Sequence, residues 1–348
     1  MILMKSIIKK LLCLFYYLFL FRRSNQPGFL LVVTYHRISE LLDSDDPLKV
    51  SVSTFEKQIL HLKANYSIIS AKDLHNFILG RTMLPDKACL ITFDDGWKDN
   101  YTHAFPVLRK HGIPALIFIS TDFIGTGKSF WYERLKRVLM EVRDSGEMVK
   151  ISDEWPHPVV AQILNIIKSS LDKRPPLIYD LIEFLKEFSD EKIEMLLQCL
   201  EINVAYPADS APLMLSWNDV IEMYQNGISF GSHTKSHSIL TLMDIEMVSH
   251  ELTDSKRIIE EKIGESIHFF AYPNGNYNEL ISIIVKDSNY KAAFTCDPAI
   301  NYGFQTPFKL KRLNMSESSS DFLGVFRSLF YEVELSGVRI YLKQRLGI

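Results

Sequence analysis

Two short constellations carry the groups that could do chemistry. The first is Thr92-Phe93-Asp94-Asp95-Gly96, in which two carboxylates are adjacent and a glycine permits a sharp exit. Consecutive side chains near a strand end diverge in direction, so one carboxylate can bind a cation while the other stays free to take a proton. The second is Gly231-Ser232-His233-Thr234-Lys235-Ser236-His237, which sets two imidazoles four residues apart. On an extended strand these rings would stand about 13 Å apart, too far to share an ion whose bonds to nitrogen measure about 2.0–2.1 Å. The chain must therefore turn. A helix or helical turn beginning after Ser232 would put His233 and His237 on one side, able to chelate a divalent cation together with a carboxylate. Thr234 and Ser236 suit such a start.

Each signal alone has a bland reading, since Asp-Gly is an ordinary turn dipeptide and paired histidines can simply cap or decorate a surface. Together they are far more specific. One carboxylate and two imidazoles leave open coordination positions, the arrangement a catalytic metal needs to bind water and polarise a carbonyl. Hydrolysis is the leading reaction class.

The elements that must position these groups are short apolar runs alternating with helical patterns. LLVVTY (30–35), ACLITF (88–93), ALIFIS (115–120), ISFGS (228–232), IHFFA (267–271), AAFT (292–295) and FKLKRL (308–313) read as strands. Most are continuously apolar, as strands covered on both faces are. Helical spacing falls between them at 53–64, 71–79, 101–111, 216–226 and 245–263. Repeated strand-then-helix units predict an α/β fold, a distorted (β/α) barrel of about seven strands spanning 28–315. The acidic pair then closes the most apolar strand, at the edge where such barrels place their sites.

One interval breaks the rhythm. From about 130 to 212 strand signals vanish, and helix-like spacing at 131–144, 159–171, 177–188 and 191–200, punctuated by Pro175-Pro176, predicts a helical insertion. After a serine-rich joint at 316–320, an amphipathic helix is expected to run to about Arg345 within 316–348. The 348 residues, with 39 basic against 42 acidic side chains, set up no global basic field for nucleic acid. Cys13, Cys89, Cys199 and Cys296 are scattered and never form C-x-x-C, which argues against a thiolate zinc site or a disulfide framework.

The N-terminal segment 1–27 stands apart. Lys5, Lys9, Lys10, Arg22 and Arg23 flank the apolar run 11–21 with no acidic residue up to 23. As a helix that run rises only about 16 Å, short of a hydrocarbon core of about 30 Å. Peripheral or interfacial membrane anchoring is the expectation, with an export signal or a buried helix as alternatives and the membrane side open.

At this point the sequence resembles the polysaccharide deacetylases with a NodB-homology domain, carbohydrate esterase family 4. TFDDG at 92–96, HTKSH at 233–237 and FFAYPNG at 269–275 carry the resemblance, with YKAAFT at 290–295 as weaker support. It implies Asp94 as the general base that activates water and Asp95, His233 and His237 as metal ligands. Zinc is the leading metal, with nickel, cobalt or iron as alternatives. It also implies the backbone N–H of Asn274 as an oxyanion donor, with Tyr272 and Pro273 shaping that wall and binding substrate.

Two positions depart from the pattern. Ala271 stands where many members carry an arginine oriented on the catalytic aspartate. Leu313-Asn314 replaces the late Leu-His pair that usually supplies the general acid, and asparagine cannot donate that proton. Because a closed barrel makes its first and last strands neighbours, His36 of Tyr35-His36-Arg37-Ile38 is the candidate replacement acid. The YHRI pattern resembles the branch acting on exported or capsular polysaccharides. With a reference pKa of about 6.5, a histidine can donate near neutral pH.

Other groups attract less weight. His103 and His111 flank a predicted helix and read as structural. Trp97, Trp131 and Trp217 could stack on sugars, Trp97 being the first choice as a substrate contact, or could complete the core. Gly125-Thr126-Gly127-Lys128 lacks the spacing of a phosphate loop. The expected activity is metal-dependent removal of N-acetyl groups from amino sugars of a polysaccharide or glycolipid-linked glycan. The competing readings are a catalytically silent glycan-binding protein of the same fold and a hydrolase of an O-acetyl ester or another non-peptide C–N bond.

Overall fold

The computed structural model describes residues 28–40, 46, 48–142, 155–201, 213–303 and 306–317. The expected N-terminal anchor and C-terminal amphipathic helix lie outside those residues. Among the described residues no helix is long and apolar enough to cross a membrane.

Strand β1 (Phe29–Tyr35) is followed by β2 (Arg37–Ser39) and β3 (Lys49–Ser51), which pair with one another in a small separate sheet. Then come α1 (Val52–Asn65), β4 (Ser67–Ile68), α2 (Ala71–Ile78), β5 (Ala88–Phe93), α3 (Phe105–His111) and β6 (Ala115–Ile119). The insertion contributes α4 (Trp131–Glu141), α5 (His157–Lys168), α6 (Arg174–Leu185) and α7 (Asp190–Glu201). After it run α8 (Trp217–Gln225), β7 (Ile228–Ser232), α9 (Ile245–Ile263), β8 (Phe269–Ala271), α10 (Glu279–Asp287), β9 (Ala292–Phe294), β10 (Asn301–Tyr302) and β11 (Leu313–Asn314).

The main sheet has the order β10-β1-β5-β6-β7-β8-β9, with β4 also on β5 and β11 on β1. Its pairings are parallel except that of β10 with β1. The sheet curls into an incomplete barrel. Leu310 bridges to Phe294 of β9 while Val33 and Thr34 of β1 pair with Leu313 and Asn314, so one short stretch joins the last strand to the first. Strands β5 and β6 are buried throughout. Alternate residues explain why: Leu31, Val33 and Ile91 pack with Phe55, Leu108, Val220 and Leu252 of the surrounding helices. Leu30, Val32 and Leu90 pack with Phe118, Phe269 and Phe294 on the other face.

The insertion has a core of its own, built from residues such as Leu135, Ile163, Ile178 and Leu196. Buried Arg174 fastens it. Its guanidinium donates to the carbonyls of Leu139, Val142, Ile167 and Ser169, groups at the C-terminal ends of α4 and α5 that those helices cannot satisfy themselves.

Three local expectations need correction. Residues 308–313 do not form one strand: the 3-10 turn Pro307–Lys309 takes up the start of the interval, Leu310 makes a single bridge to Phe294, and only Leu313–Asn314 pairs as a strand. The helix expected at 101–111 is split into a π-helical turn, Asn100–Ala104, and α3. Residues 233–238 form an irregular segment bent at 235–236 rather than a helical turn, with Thr234 and His237 both at positive φ.

Candidate active site

The motifs meet at the C-terminal edge of the curled sheet, where β1, β5 and β7 end in His36, Asp94 and His233. Asp94 and Asp95 are both almost completely buried. Asp95 has φ 77° and Gly96 φ 83°, so the chain leaves β5 through two successive left-handed residues. A side chain at Gly96 would bring its Cβ to 2.9 Å from both Ile119 and Ile124, so only glycine fits that exit. Among the described residues, four of the six non-glycine residues at positive φ are Asp95, Thr234, His237 and Asn274, which concentrates backbone strain at this edge.

The two imidazoles converge on Asp95. His233 Nε2 lies 3.5 Å and His237 Nε2 3.2 Å from Asp95 Oδ1. Their ligand atoms all fall within 4.8 Å of one another, a donor set that fits a divalent transition metal. The surroundings aim these atoms. His233 Nδ1 sits 2.8 Å from the Ala271 carbonyl, to which it can donate, so Nε2 is the ring nitrogen turned inward toward Asp95. Trp97 donates its indole N–H to Asp95 Oδ2 at 2.8 Å, leaving Oδ1 toward the histidines. Burial opposes charge on Asp95, but hydrogen bonds from His233 and His237 outweigh it and hold its pKa well below the usual carboxylate range. Burial likewise opposes charge on His233, yet Asp95 and Asp94 raise its pKa.

The bend between the histidines is held by Glu251 of α9. Its Oε2 accepts the N–H groups of Lys235 and Ser236 at 2.8 and 2.9 Å, and its Oε1 accepts the Ser236 hydroxyl at 2.9 Å. From Ser236 the contacts continue to Ser238 at 2.6 Å, and Ser238 donates to Asp190 at the start of α7. Sequence reasoning missed Glu251, whose position inside an ordinary amphipathic helix carries no signal.

Asp94 is held separately. Arg312 is fully buried and donates to both Asp94 oxygens at 2.7 Å. Burial pushes the Asp94 pKa up, but the charge of Arg312, then that of His233, overrides it and the net shift is downward. Sequence reasoning also missed Arg312; the only hint was a basic residue immediately before the departed Leu-His pair. His36 Nε2 lies 3.9 Å from Asp94 Oδ2. The segment after the acidic pair fixes its backbone: Asn100 donates to the His36 carbonyl at 2.8 Å, and Asp99 binds Arg37 Nε and the Ile38 N–H.

A cavity of about 640 Å³ opens over these groups, lined by His36, Asp94, Asp95, His233, His237, Asn274 and Asn314 together with residues of the insertion. Asn274 has φ 55° at the 3-10 turn after β8, and its side-chain oxygen accepts from Lys186 at the end of α6 at 3.0 Å. Two expectations shift here. Tyr272 and Pro273 do not line the cavity; they are buried behind Asn274, with the Tyr272 hydroxyl donating to the Phe308 carbonyl. Trp97 does line it, but only 1% of its surface is exposed and its polar edge is occupied by Asp95, so it offers no open sugar platform. Trp217 packs against the core rather than lining the cleft, whereas Trp131 lines it. His111 meets Glu56 at 2.7 Å, away from the cavity lining.

The model of the polysaccharide deacetylase family matches residues 82–163 and 186–293, more than half of the chain. The chain belongs to the polysaccharide deacetylase family. Among relatives of this deacetylase, the Bacillus subtilis protein YxkH is 23% identical over 300 residues, covering 86% of this chain and 75% of its own. The poly-beta-1,6-N-acetyl-D-glucosamine N-deacetylase of Staphylococcus aureus is 30% identical over 107 residues, covering 27% of this chain and 37% of its own length. Solved structures agree on the deacetylase fold. The deacetylase PplD of Streptococcus pyogenes superposes with TM-score 0.56 at 18% identity, over 84% of this chain and 95% of that one. IcaB of Ammonifex degensii gives 0.56 at 18% identity, over 89% and 98%.

Proposed function

We propose that this deacetylase is a metal-dependent hydrolase that removes N-acetyl groups from amino sugars of a glycan. The observation that carries the reading is the placement of one buried carboxylate, Asp94, beside a separate Asp95–His233–His237 set in a single cavity. Division of labour between adjacent acids needs that separation, and Arg312 and the histidines hold the two carboxylates in different environments.

Asp95, His233 and His237 would hold the metal, which when bound supplies a Lewis acid for the acetamide carbonyl and lowers the pKa of water. Asp94 takes the proton of the attacking water. The charge of Arg312 keeps Asp94 ionised and its two hydrogen bonds fix the carboxylate plane. The backbone N–H of Asn274 donates to the oxygen that gains negative charge. His36 then gives its proton to the departing amine nitrogen, so acetate and a free amine result.

The silent glycan-binding alternative drew its support from Ala271 and Asn314. Arg312 and His36 supply a guanidinium and an imidazole beside Asp94, which weighs against that alternative. Metal analysis joined to acetate release over N-acetyl and O-acetyl glycans tests the proposal. Asp94→Asn should keep its metal and lose turnover, and His36→Ala should lose turnover on the amide. Near-normal acetate release by Asp94→Asn, or release from O-acetyl substrates alone, would overturn it.

A further inference from the structure

The cavity above the acidic pair carries the aromatic and charged groups a sugar needs, among them Trp131, Tyr132, Glu133 and Lys136, and also a set of aliphatic side chains that a sugar does not need. The insertion contributes Ile178, Tyr179 and Ile182 of α6, and the approach to α9 contributes Leu242, Met243 and Met247. Several of these remain open: Tyr179, Leu242 and Met247 are 42%, 43% and 51% exposed. Sugars are met by flat aromatic faces and by paired hydrogen-bonding groups. Branched aliphatic and thioether side chains provide neither, and their exposed surface gains from covering hydrocarbon.

The same region is fastened across one side of the cavity. Lys186 at the end of α6 binds Asn274 beyond β8, and Asp190 at the start of α7 binds Ser238 beyond β7. The turn 186–190 is thereby latched to two loops at the rim of the barrel. A glycan strand running over that rim would have to displace these two contacts, whereas a short glycan that presents one sugar to Asp94 would not.

We propose that this cavity takes an amphipathic glycolipid, with the N-acetylated sugar at Asp94 and its hydrocarbon portion against the aliphatic wall of Ile182, Leu242 and Met247. The inference rests on the deacetylase reading and names the substrate class for that site. Hydrophobic transfer is worth about fourfold in affinity per methylene, so burial of only two methylenes of an alkyl tail gives about tenfold or more.

The test compares methyl and octyl glycosides of N-acetylglucosamine, and a β-1,6-linked N-acetylglucosamine tetrasaccharide, on the metal-loaded full chain at detergent concentrations below micelle formation. The expected result is a kcat/KM at least tenfold higher for the octyl glycoside than for the methyl, arising in KM, and a collapse of that ratio in the Leu242→Ser, Met247→Ser double variant. Equal constants for the two glycosides, or a preference for the tetrasaccharide with no octyl advantage, would overturn the glycolipid assignment while leaving deacetylation intact. Calorimetric binding of the two glycosides to the metal-free protein decides the matter independently of turnover. Tighter octyl binding there, with no acetate released by the metal-loaded chain, would keep the tail site and remove the deacetylase reading; equal binding would remove the tail site.

Discussion

Arg312 reaches across 218 residues of sequence to grip Asp94 through two hydrogen bonds of 2.7 Å, and both side chains are buried. The guanidinium favours the carboxylate over the carboxylic acid, so removing it should raise the Asp94 pKa. Arg312→Lys keeps a charge but loses the planar fork. The expected outcome is a loss of roughly tenfold or more in kcat, with metal content unchanged. The acidic limb of the pH–rate profile should move to higher pH, because protonation of the base then sets in earlier. An unshifted limb in a variant that still binds metal would show that Arg312 does not tune the base.

The sheet was legible because its strands are covered on both faces, so ACLITF and ALIFIS read as unbroken apolar runs and fold as β5 and β6. The convergence of Asp95, His233 and His237 was legible for a different reason: the motif spacing confines two imidazoles and an acid to loops after parallel strands, and parallel strands bring those loops to one edge. The shape of the histidine bend was not, since it depends on Thr234 and His237 adopting positive φ under the hold of Glu251, a contact between distant segments. Arg312 escaped detection for the same reason. Tyr272 was misplaced because a motif records which residues adjoin a wall, and cannot tell those that face the cavity from those that stand behind it.

Glu251 leads to the second prediction. Its carboxylate receives three hydrogen bonds from the bend that separates His233 from His237, and none of its atoms is a candidate ligand. Outer-shell partners of this kind typically change metal affinity by about 10- to 100-fold. Glu251→Gln retains size and one acceptor oxygen for the two N–H groups but loses the charge, so the bend is held by weaker, neutral hydrogen bonds. Competition with a chromogenic chelator should report weaker metal binding in that range, and excess metal should restore most of the activity. Unchanged metal affinity would confine Glu251 to a general packing role.

The third prediction concerns stability at the opposite side of the chemistry. His75 of α2 stacks on His268 just before β8, with ring centroids 3.6 Å apart. Burial, then His75 and the nearby Lys256 and Lys291, push the His268 pKa down to about 4. Burial and the charges of Arg81 and Lys291 lower that of His75 as well. A folded pKa below the unfolded value near 6.5 means that the unfolded chain takes up a proton the folded one refuses. Stability should therefore fall as pH drops from about 6.5 toward the folded value, with no contribution above that window. His268→Phe keeps a stacked ring without a titrating nitrogen, so urea midpoints at pH 7.5 and 5.5 should differ less in the variant than in the parent protein. An identical difference would acquit the pair.

The last prediction returns to the insertion. Arg174 is 5% exposed and its guanidinium satisfies four carbonyls that cap two helices, Leu139 and Val142 for α4 and Ile167 and Ser169 for α5. Hydrogen bonds from a charged donor are each worth about 1.5–3 kcal/mol, while burying the charge offsets part of that gain. Arg174→Met removes the charge and strands the carbonyls, so a net loss of about 2–4 kcal/mol is expected. The loss should be local, because the insertion has its own core while the barrel strands pack elsewhere. Hydrogen exchange should rise in α4 to α7 before it rises in β5 and β6. Since α6 and α7 wall the cavity, turnover should fall even in molecules whose Asp95, His233 and His237 still bind metal. Uniform exchange across both regions would show instead that the insertion and the barrel unfold as one unit.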